Sequence, residues 1–432
     1  MLLRPSSVSR RLRRPSSLLR FCAGLALAAL VLDTLFLTSQ LPLSHRSSSR
    51  RMPRNPHSLN QTVFIASVHQ NSAPRLHATW SDAVVQLIGL LGPDNVYFSA
   101  AEHASSDGTI PELVQLEQRL NDLQVGNTIH LGRTAWDLED EANGQPPPGA
   151  EAGWLWHPKH QRWALRRVPI DAQARNHALL PLRELLLEQG RSFDRVLWLD
   201  DNIVFRPEDV VSLLETRDGD YAAVCSAAQA GPSTHRLNAL TLRDDDGHLP
   251  VSTHWPWLSA STSRSAAWAG SPIPVRSCWG GIVAFDAQPF YDPDSPLRFR
   301  SVSDEVAALH LEASERCLIH ADNPLASSRG IWVEPSIRTA LDCKEGCWKV
   351  ARPLSPDTWL TAMRGVWSNR LGTWRGPRSG AETNSELPRV RDWAAARGDP
   401  RIGGDGAVSC LMDEMQIIKR TKWTFKLSNA GS

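Results

Sequence analysis

What is missing from these 432 residues narrows the field first. No GxGxxG follows a predicted strand, and GxxxxGK[ST], HExxH and GxSxG are absent. The usual marks of NAD oxidoreductases, P-loop nucleotidases, zincins and α/β-hydrolases are therefore missing. Charge of one sign is missing too. Lys and Arg number 47 against 46 Asp and Glu, a formal net charge of +1, so no global field exists to hold nucleic acid. Tyrosine is scarce, at three residues beside 17 Trp. Flat apolar rings suit sugar faces, although most buried Trp simply pack. No internal repeat is visible, and 41% hydrophobic with 22% charged residues is the composition of a folded protein.

Acidic residues are nearly absent from the first 60 positions, where Asp33 stands alone. Arg4, Arg10, Arg11, Arg13, Arg14 and Arg20 precede the apolar run Phe21 to Leu37. That run sits at the short end for a bilayer-spanning helix, with Asp33 near its far end. Positive charge on the amino side predicts a cytoplasmic N-terminus and a luminal remainder. Arg46, Arg50, Arg51 and Arg54 beyond the run weaken that signal. A cleaved signal peptide and an Arg- and Ser-rich transit peptide compete with an uncleaved anchor. The organisation expected is a basic tail over 1–20, an anchor over 21–38, a stem over 39–61, a catalytic domain over 62–375 and a partly disordered extension over 376–432. Asn60-Gln61-Thr62 is the one glycosylation acceptor, and it lies in the stem.

Besides Cys22 there are six cysteines: Cys225, Cys278, Cys317, Cys343, Cys347 and Cys410. One or two disulfides are expected among about 15 possible connectivities, and the sequence does not choose. His157 and His160 lack an acidic partner at helical spacing and are a poor metal pair.

From Thr62 onward, strands and helices alternate. Val63 to Val68 reads as a strand, Trp80 to Leu91 as a helix, Asn95 to Ser99 as a strand, and Ile110 to Leu123 as a helix with Leu113, Leu116, Leu120 and Leu123 on one face. Thr128 to Leu131 reads as a third strand. Such alternation means a parallel α/β sheet. Residues 141–160 read as a long surface loop, and a helix runs from Ile170 to Gln189. A helix ending at Leu214 and a strand from Tyr221 to Cys225 close a Rossmann-like half, with a more irregular acceptor-binding portion after residue 226.

The segment Arg195 to Phe205, RVLWLDDNIVF, carries the chemistry. Its apolar run ends abruptly in Asp200, Asp201 and Asn202. Ligands bind outside the carboxyl ends of strands in open α/β sheets. Carboxylates placed there suit a hard divalent cation, Mn2+ or Mg2+, that also takes substrate phosphates. A simple Asp-rich turn is the competing account.

Six segments in fixed order carry a resemblance: SAAEHASSDGT (99–109), ARNHALLPL (174–182), FDRVLWLDDNIVF (193–205), VRSCWGGIVAFDAQPF (275–290), SERCLIHADNP (314–324) and IWVEPSIRTALD (331–342). Together they resemble the fungal capsule-associated α-1,3-mannosyltransferases of glycosyltransferase family 69. The resemblance implies a GT-A-like, Rossmann-type nucleotide-sugar transferase fold, GDP-mannose as donor, a glycan acceptor, a divalent metal, and a type II single-pass protein of the Golgi membrane with a luminal catalytic domain. Asp201 matches the family's acid, while Asp200 replaces its usual Asn. Gly280 stands where the family has Asn, and an acid expected soon after Cys225 is absent. Another nucleotide sugar, or an inactive Golgi scaffold, are the rival readings.

On this basis Asp201 and Asp200 are the expected metal ligands. Arg175, Asn176, Asp200, Trp279 and Gly281 are the expected donor-binding residues. Arg175 offers a fork for phosphate oxygens, and Trp279 offers a platform beside the glycines Gly280 and Gly281. Glu315 is the expected acid/base or nucleophile, with Asp304, then Glu305, behind it. Asp244 and Asp246 form a second acidic cluster, with a Gly-terminated turn as the simpler account.

Overall fold

A computed structural model of the chain describes residues 17–39, 61–132, 153–157, 161–230, 241–252, 254–341, 359–375, 408–412, 415–418 and 425–427. Asn60, most of the stem, the basic tail before residue 17, His160, Cys343 and Cys347 lie outside the described residues.

The strands among the described residues, in chain order, are β1 (Val63–His69), β2 (Val96–Glu102), β3 (Gly126–His130), β4 (Trp154–His157), β5 (Arg162–Leu165), β6 (Arg195–Leu199), β7 (Ile203–Val204), β8 (Ala223–Ala230), β9 (Arg243–Asp244), β10 (Ile273–Ser277), β11 (Ile282–Asp286), β12 (Glu312–Ala313), β13 (Ile331–Leu341), β14 (Leu411–Met412), β15 (Met415–Ile417) and β16 (Phe425–Leu427). Nine of them form the main path of one ten-stranded sheet, in the order β3-β2-β1-β6-β11-β8-β13-β10-β9, and β7 adds to β13. β1, β2, β3 and β6 are mutually parallel. β11 runs antiparallel between β6 and β8, and β13 returns parallel to β8. The α/β class expected from the alternation is present. The region after residue 226, expected to be more irregular, supplies β10, β11 and β13 to the main sheet. β4 and β5 likewise form a hairpin inside and just beyond the stretch read as a loop.

Both faces of the sheet are covered, which is why its strands read as unbroken apolar runs. Successive side chains point to opposite faces. Phe64, Val196 and Trp198 pack with Ala178, Leu182 and Leu185 of the helix Arg167–Gln189. Ile65, Leu197 and Leu199 pack the other way, onto Val84, Leu87 and Ile88 of the helix Ser81–Leu91 and Leu113, Leu116 and Leu120 of the helix Thr109–Asp122.

Two disulfides form, Cys225–Cys278 and Cys317–Cys410. The second fastens a distal strap onto the body of the protein. β14 pairs with β12 beside it, and the Ile418 N–H donates to Leu165 O at 2.9 Å. Packed structure therefore continues well beyond residue 375. At the other end, the helix Ser17–Ser39 packs along the helix Trp359–Trp374, with Asp33 accepting from Arg370. Among the described residues, no helix is long and apolar enough to cross a membrane.

Candidate active site

The carboxyl end of β6 is built by backbone pairing and three indoles. Asp200 N donates to Gly281 O at 2.8 Å, fixing the first residue past the strand. Gly281 makes its turn at φ +85°, a conformation that favours glycine. A π-helical turn over Leu76–Trp80 brings the Trp80 indole to donate to Asp200 O at 3.0 Å. Such turns distort a helix locally and are common at functional sites.

Asp200 faces inward. Its Oδ1 accepts from Trp198 Nε1 at 3.1 Å and its Oδ2 from Trp279 Nε1 at 2.8 Å, and the residue is only 6% exposed. Its expected role as metal and donor ligand is corrected by this geometry: both oxygens are committed to indoles, and the guanidiniums of Arg175 and Arg316 lie 3.7 Å away. Asp201 faces the other way. It is partly exposed, and its one hydrogen bond among the described residues is from Gln70 N to Oδ2, at 3.2 Å. Burial, with Asp200 adding, pushes its carboxyl up to about 6 against the lowering effects of that bond, Arg75 and Arg316. Its charge is thus under-compensated by its surroundings.

Arg175 is corrected as well. It is buried, its guanidinium lying 4.8 Å from the Trp198 ring, 4.9 Å from Trp279 and 5.5 Å from Phe299, with Nε donating to Glu315 Oε1 at 3.1 Å. It is an internal counter-charge inside an aromatic cage. Trp279, also buried, is the wall of that cage rather than an open sugar platform. Asn176 leaves the donor set too: its amide donates to Phe299 O at 2.8 Å and accepts from Phe299 N at 2.9 Å.

Glu315 is buried and held between Arg175 and Arg316. Burial pushes its carboxyl up; Arg175, Arg316 and its hydrogen bonds outweigh burial and hold it below its ordinary value. Asp304, in contrast, belongs to another cluster. Together with Glu312 it clamps the fully buried Arg166, accepting from Arg166 Nη1 at 2.6 Å and from Gly153 N at 3.0 Å. Its catalytic assignment is withdrawn on that ground, and Glu305 is exposed beside it. Asp244 is fully buried and accepts from His248 N, Ser259 N, Ser259 Oγ and Ala260 N, a structural knot as the simpler account had it.

Two members of the site escaped the sequence reading. Arg316 has 28% of its side chain exposed and lies 3.3 Å from Glu315 Oε1 and 5.4 Å from the Trp279 ring centroid. Asp171 sits one helical turn before Arg175, paired with Arg167 at 3.0 Å and 26% exposed. Burial, with Glu315 adding, pushes the Asp171 carboxyl up, against Arg167, Arg175 and Arg316. The i, i+4 spacing of Asp171 and Arg175 was a signal for the second, and the Glu315-Arg316 dipeptide for the first.

A divalent cation fits Asp201. Hard cations of the Mg2+ kind are commonly held by one or two carboxylates plus substrate phosphates, and Asp201 is a partly exposed carboxylate short of positive charge. The one cluster of three ligand-type side chains among the described residues is Cys225, Cys278 and His320. Its sulfurs are joined in a disulfide, so it is not a metal centre.

The family model described as cryptococcal mannosyltransferase 1 matches residues 62–322. No curated protein matches the sequence. Among solved structures, a mannosyltransferase from Pyrobaculum calidifontis in complex with GDP-Man and Mn2+ is similar at 12% identity and TM-score 0.36, over 89% of this chain and 94% of that one. S. aureus TarS 1-349 is similar at 10% identity and TM-score 0.33, over 66% of this chain and 58% of that one. The chain thus spans less than two thirds of the TarS structures it matches. Glucosyl-3-phosphoglycerate synthase from Mycobacterium tuberculosis is similar at 14% identity and TM-score 0.31, over 74% and 83%. At such scores the likeness carries no argument about chemistry.

Proposed function

This chain belongs to the cryptococcal mannosyltransferase 1 family, and from that premise we propose that it moves mannose from GDP-mannose onto a glycan hydroxyl in an α-1,3 linkage. The observation that carries the reading is Asp201, a partly exposed and under-compensated carboxylate at the carboxyl end of β6. Its place beside four parallel strands supports a GT-A-like arrangement. Asp201 would hold Mn2+ or Mg2+, which when bound neutralises the diphosphate as a Lewis acid.

The chain's own groups do the rest. The bond from sugar C1 to the phosphate oxygen breaks, its electron pair leaving on the diphosphate. A bond from C1 to the acceptor oxygen forms as that hydroxyl gives up its proton. Glu315, kept ionised by Arg175 and Arg316, supplies fixed negative charge to the carbon losing its leaving group. In the same-face route that keeps an α linkage, that proton goes to the departing phosphate oxygen, while Asp171, 26% exposed and one turn before Arg175, adds negative charge beside Glu315.

The protein works, in this reading, as a type II single-pass protein of the Golgi membrane with its catalytic part in the lumen. Two disulfides support an oxidising compartment. Phe21, Leu25, Leu27, Leu32 and Phe36, each more than half exposed on the helix Ser17–Ser39, support membrane attachment. The deciding experiment incubates the purified chain with Mn2+, mannoside acceptors and a panel of nucleotide sugars. Mannose transferred from GDP-mannose supports the reading. Turnover of a UDP sugar alone moves the donor, and no turnover of any donor makes the chain an inactive scaffold.

A further inference from the structure

We propose that Arg316 grips the phosphate of the donor that is bonded to the sugar, sharing the diphosphate with the cation at Asp201. This rests on the nucleotide-sugar reading above and names a residue that neither the acidic motif nor the arginine of ARN supplied.

Two guanidiniums serve the site, and they are not equivalent. Arg175 is enclosed by Trp198, Trp279 and Phe299 and has 6% of its side chain exposed. Arg316 has 28% of its side chain exposed, and its guanidinium feels Asp200, Glu315, Asp171 and Asp201 together. Burial lowers the tendency of Arg316 to hold its proton, and the four carboxylates more than reverse that. The group is a permanent cation.

Its charge is balanced, but its hydrogen bonding is incomplete. Arg316 Nη1 lies 3.7 Å from Asp200 Oδ2, beyond hydrogen-bond length. Nε lies 3.3 Å from Glu315 Oε1 but makes no hydrogen bond, and its atom is buried. A buried N–H without a partner is costly and calls for an explanation. Asp200 cannot complete the set, since Trp198 and Trp279 already hold its two oxygens. A planar fork of this kind matches two phosphate oxygens at once. Because Arg316 adjoins Glu315, which the reading sets at the sugar carbon, the phosphate it meets is the one bonded to the sugar.

The test is calorimetric titration of the full chain with GDP, UDP and GMP in the presence of Mn2+. For the diphosphate that wild type binds, Arg316→Gln should weaken affinity by about 10- to 100-fold. GMP, which lacks the second phosphate, should shift by less than about threefold. Arg316→Lys keeps the ion pairs with Asp200 and Glu315 and guards against misfolding; it should bind the diphosphate with intermediate affinity, because an ammonium lacks the fork. Wild-type diphosphate affinity in either variant overturns the proposal, as does an equal loss for GMP and GDP, which would make Arg316 structural. A wild-type chain that binds neither diphosphate overturns the nucleotide-sugar reading itself, a separate outcome.

Discussion

Replacing Asp200 by Asn, the residue that the resemblance implies at this position, should cost this chain much of its stability. The Asp200 carboxylate accepts two indole N–H bonds, at 3.1 and 2.8 Å, and faces Arg175 and Arg316 at 3.7 Å. Asn retains one acceptor oxygen and turns an NH2 toward the second indole N–H, so one bond is lost and two donors confront each other. A lost hydrogen bond to a charged group costs about 1.5–3 kcal/mol. Removing the carboxylate also leaves the buried Arg175 with less counter-charge, and breaking a buried ion pair costs about 3–5 kcal/mol. Glu315 still faces Arg175 at 3.1 Å, so the lower part of that range applies, and the whole substitution should cost about 4.5–6 kcal/mol. That is a large share of an ordinary stability of about 5–15 kcal/mol. Urea unfolding of the purified chain, followed by Trp fluorescence, reads it directly. A loss below about 1 kcal/mol would refute the reasoning and return Asp200 to the surface.

Other substitutions probe the frame and the charges. At Gly280 a Cβ would lie 1.7 Å from Ser226 O, so Gly280→Ala must force β8 from the start of β11. It should cost more than about 3 kcal/mol by urea unfolding, and a neutral result would mean the close approach is absent in solution. Glu315→Gln should lower kcat by about 100-fold while donor KM moves less than about threefold; an unchanged kcat would remove Glu315 from the chemistry. Burial holds His69 near about 3 and His320 near about 4, below the unfolded value, so the unfolded chain gains protons first as pH falls. The contribution of this pair is complete above about pH 6.5 and falls by about 3 kcal/mol per pH unit from there to about pH 4, where His320 begins to charge in the folded state; below about pH 6 Asp201, which takes its proton first in the folded chain, offsets about half of that slope. Denaturation midpoints at pH 7, 6 and 5 check this, and a flat profile would contradict it.

The helices and parallel strands before residue 225 were legible because their side chains keep period: Leu113, Leu116 and Leu120 on one helical face, and apolar runs in strands covered on both sides. β11 and β13 were not, since nothing local tells a strand to enter the middle of a sheet begun 200 residues earlier. The strap at Cys410 was hidden for a related reason: pairing among six cysteines is a long-range choice. In the site, the motif placed Asp200 and Asp201 at the end of β6. Which of the two faces outward depends on Trp198 and on Trp279, which comes from a distant strand turn. The family pattern ranked Asp201 first, and it is the one of the two that is partly exposed. Arg175 and Glu315 were chosen for their chemistry and do meet, but as a buried pair. The solvent-reaching cation is Arg316, whose exposure no local pattern encodes.

The most direct measurement of the central claim is mannosyl transfer from GDP-mannose by wild type and Asp201→Asn across a Mn2+ titration, each with its urea midpoint. Asn keeps the volume and one oxygen but loses the charge a hard cation requires. The account predicts metal-stimulated transfer in wild type and at least about a 100-fold loss in the variant, with the midpoint unchanged or raised, because Asp201 is under-compensated. Full metal-stimulated transfer by a folded Asp201→Asn chain would contradict it.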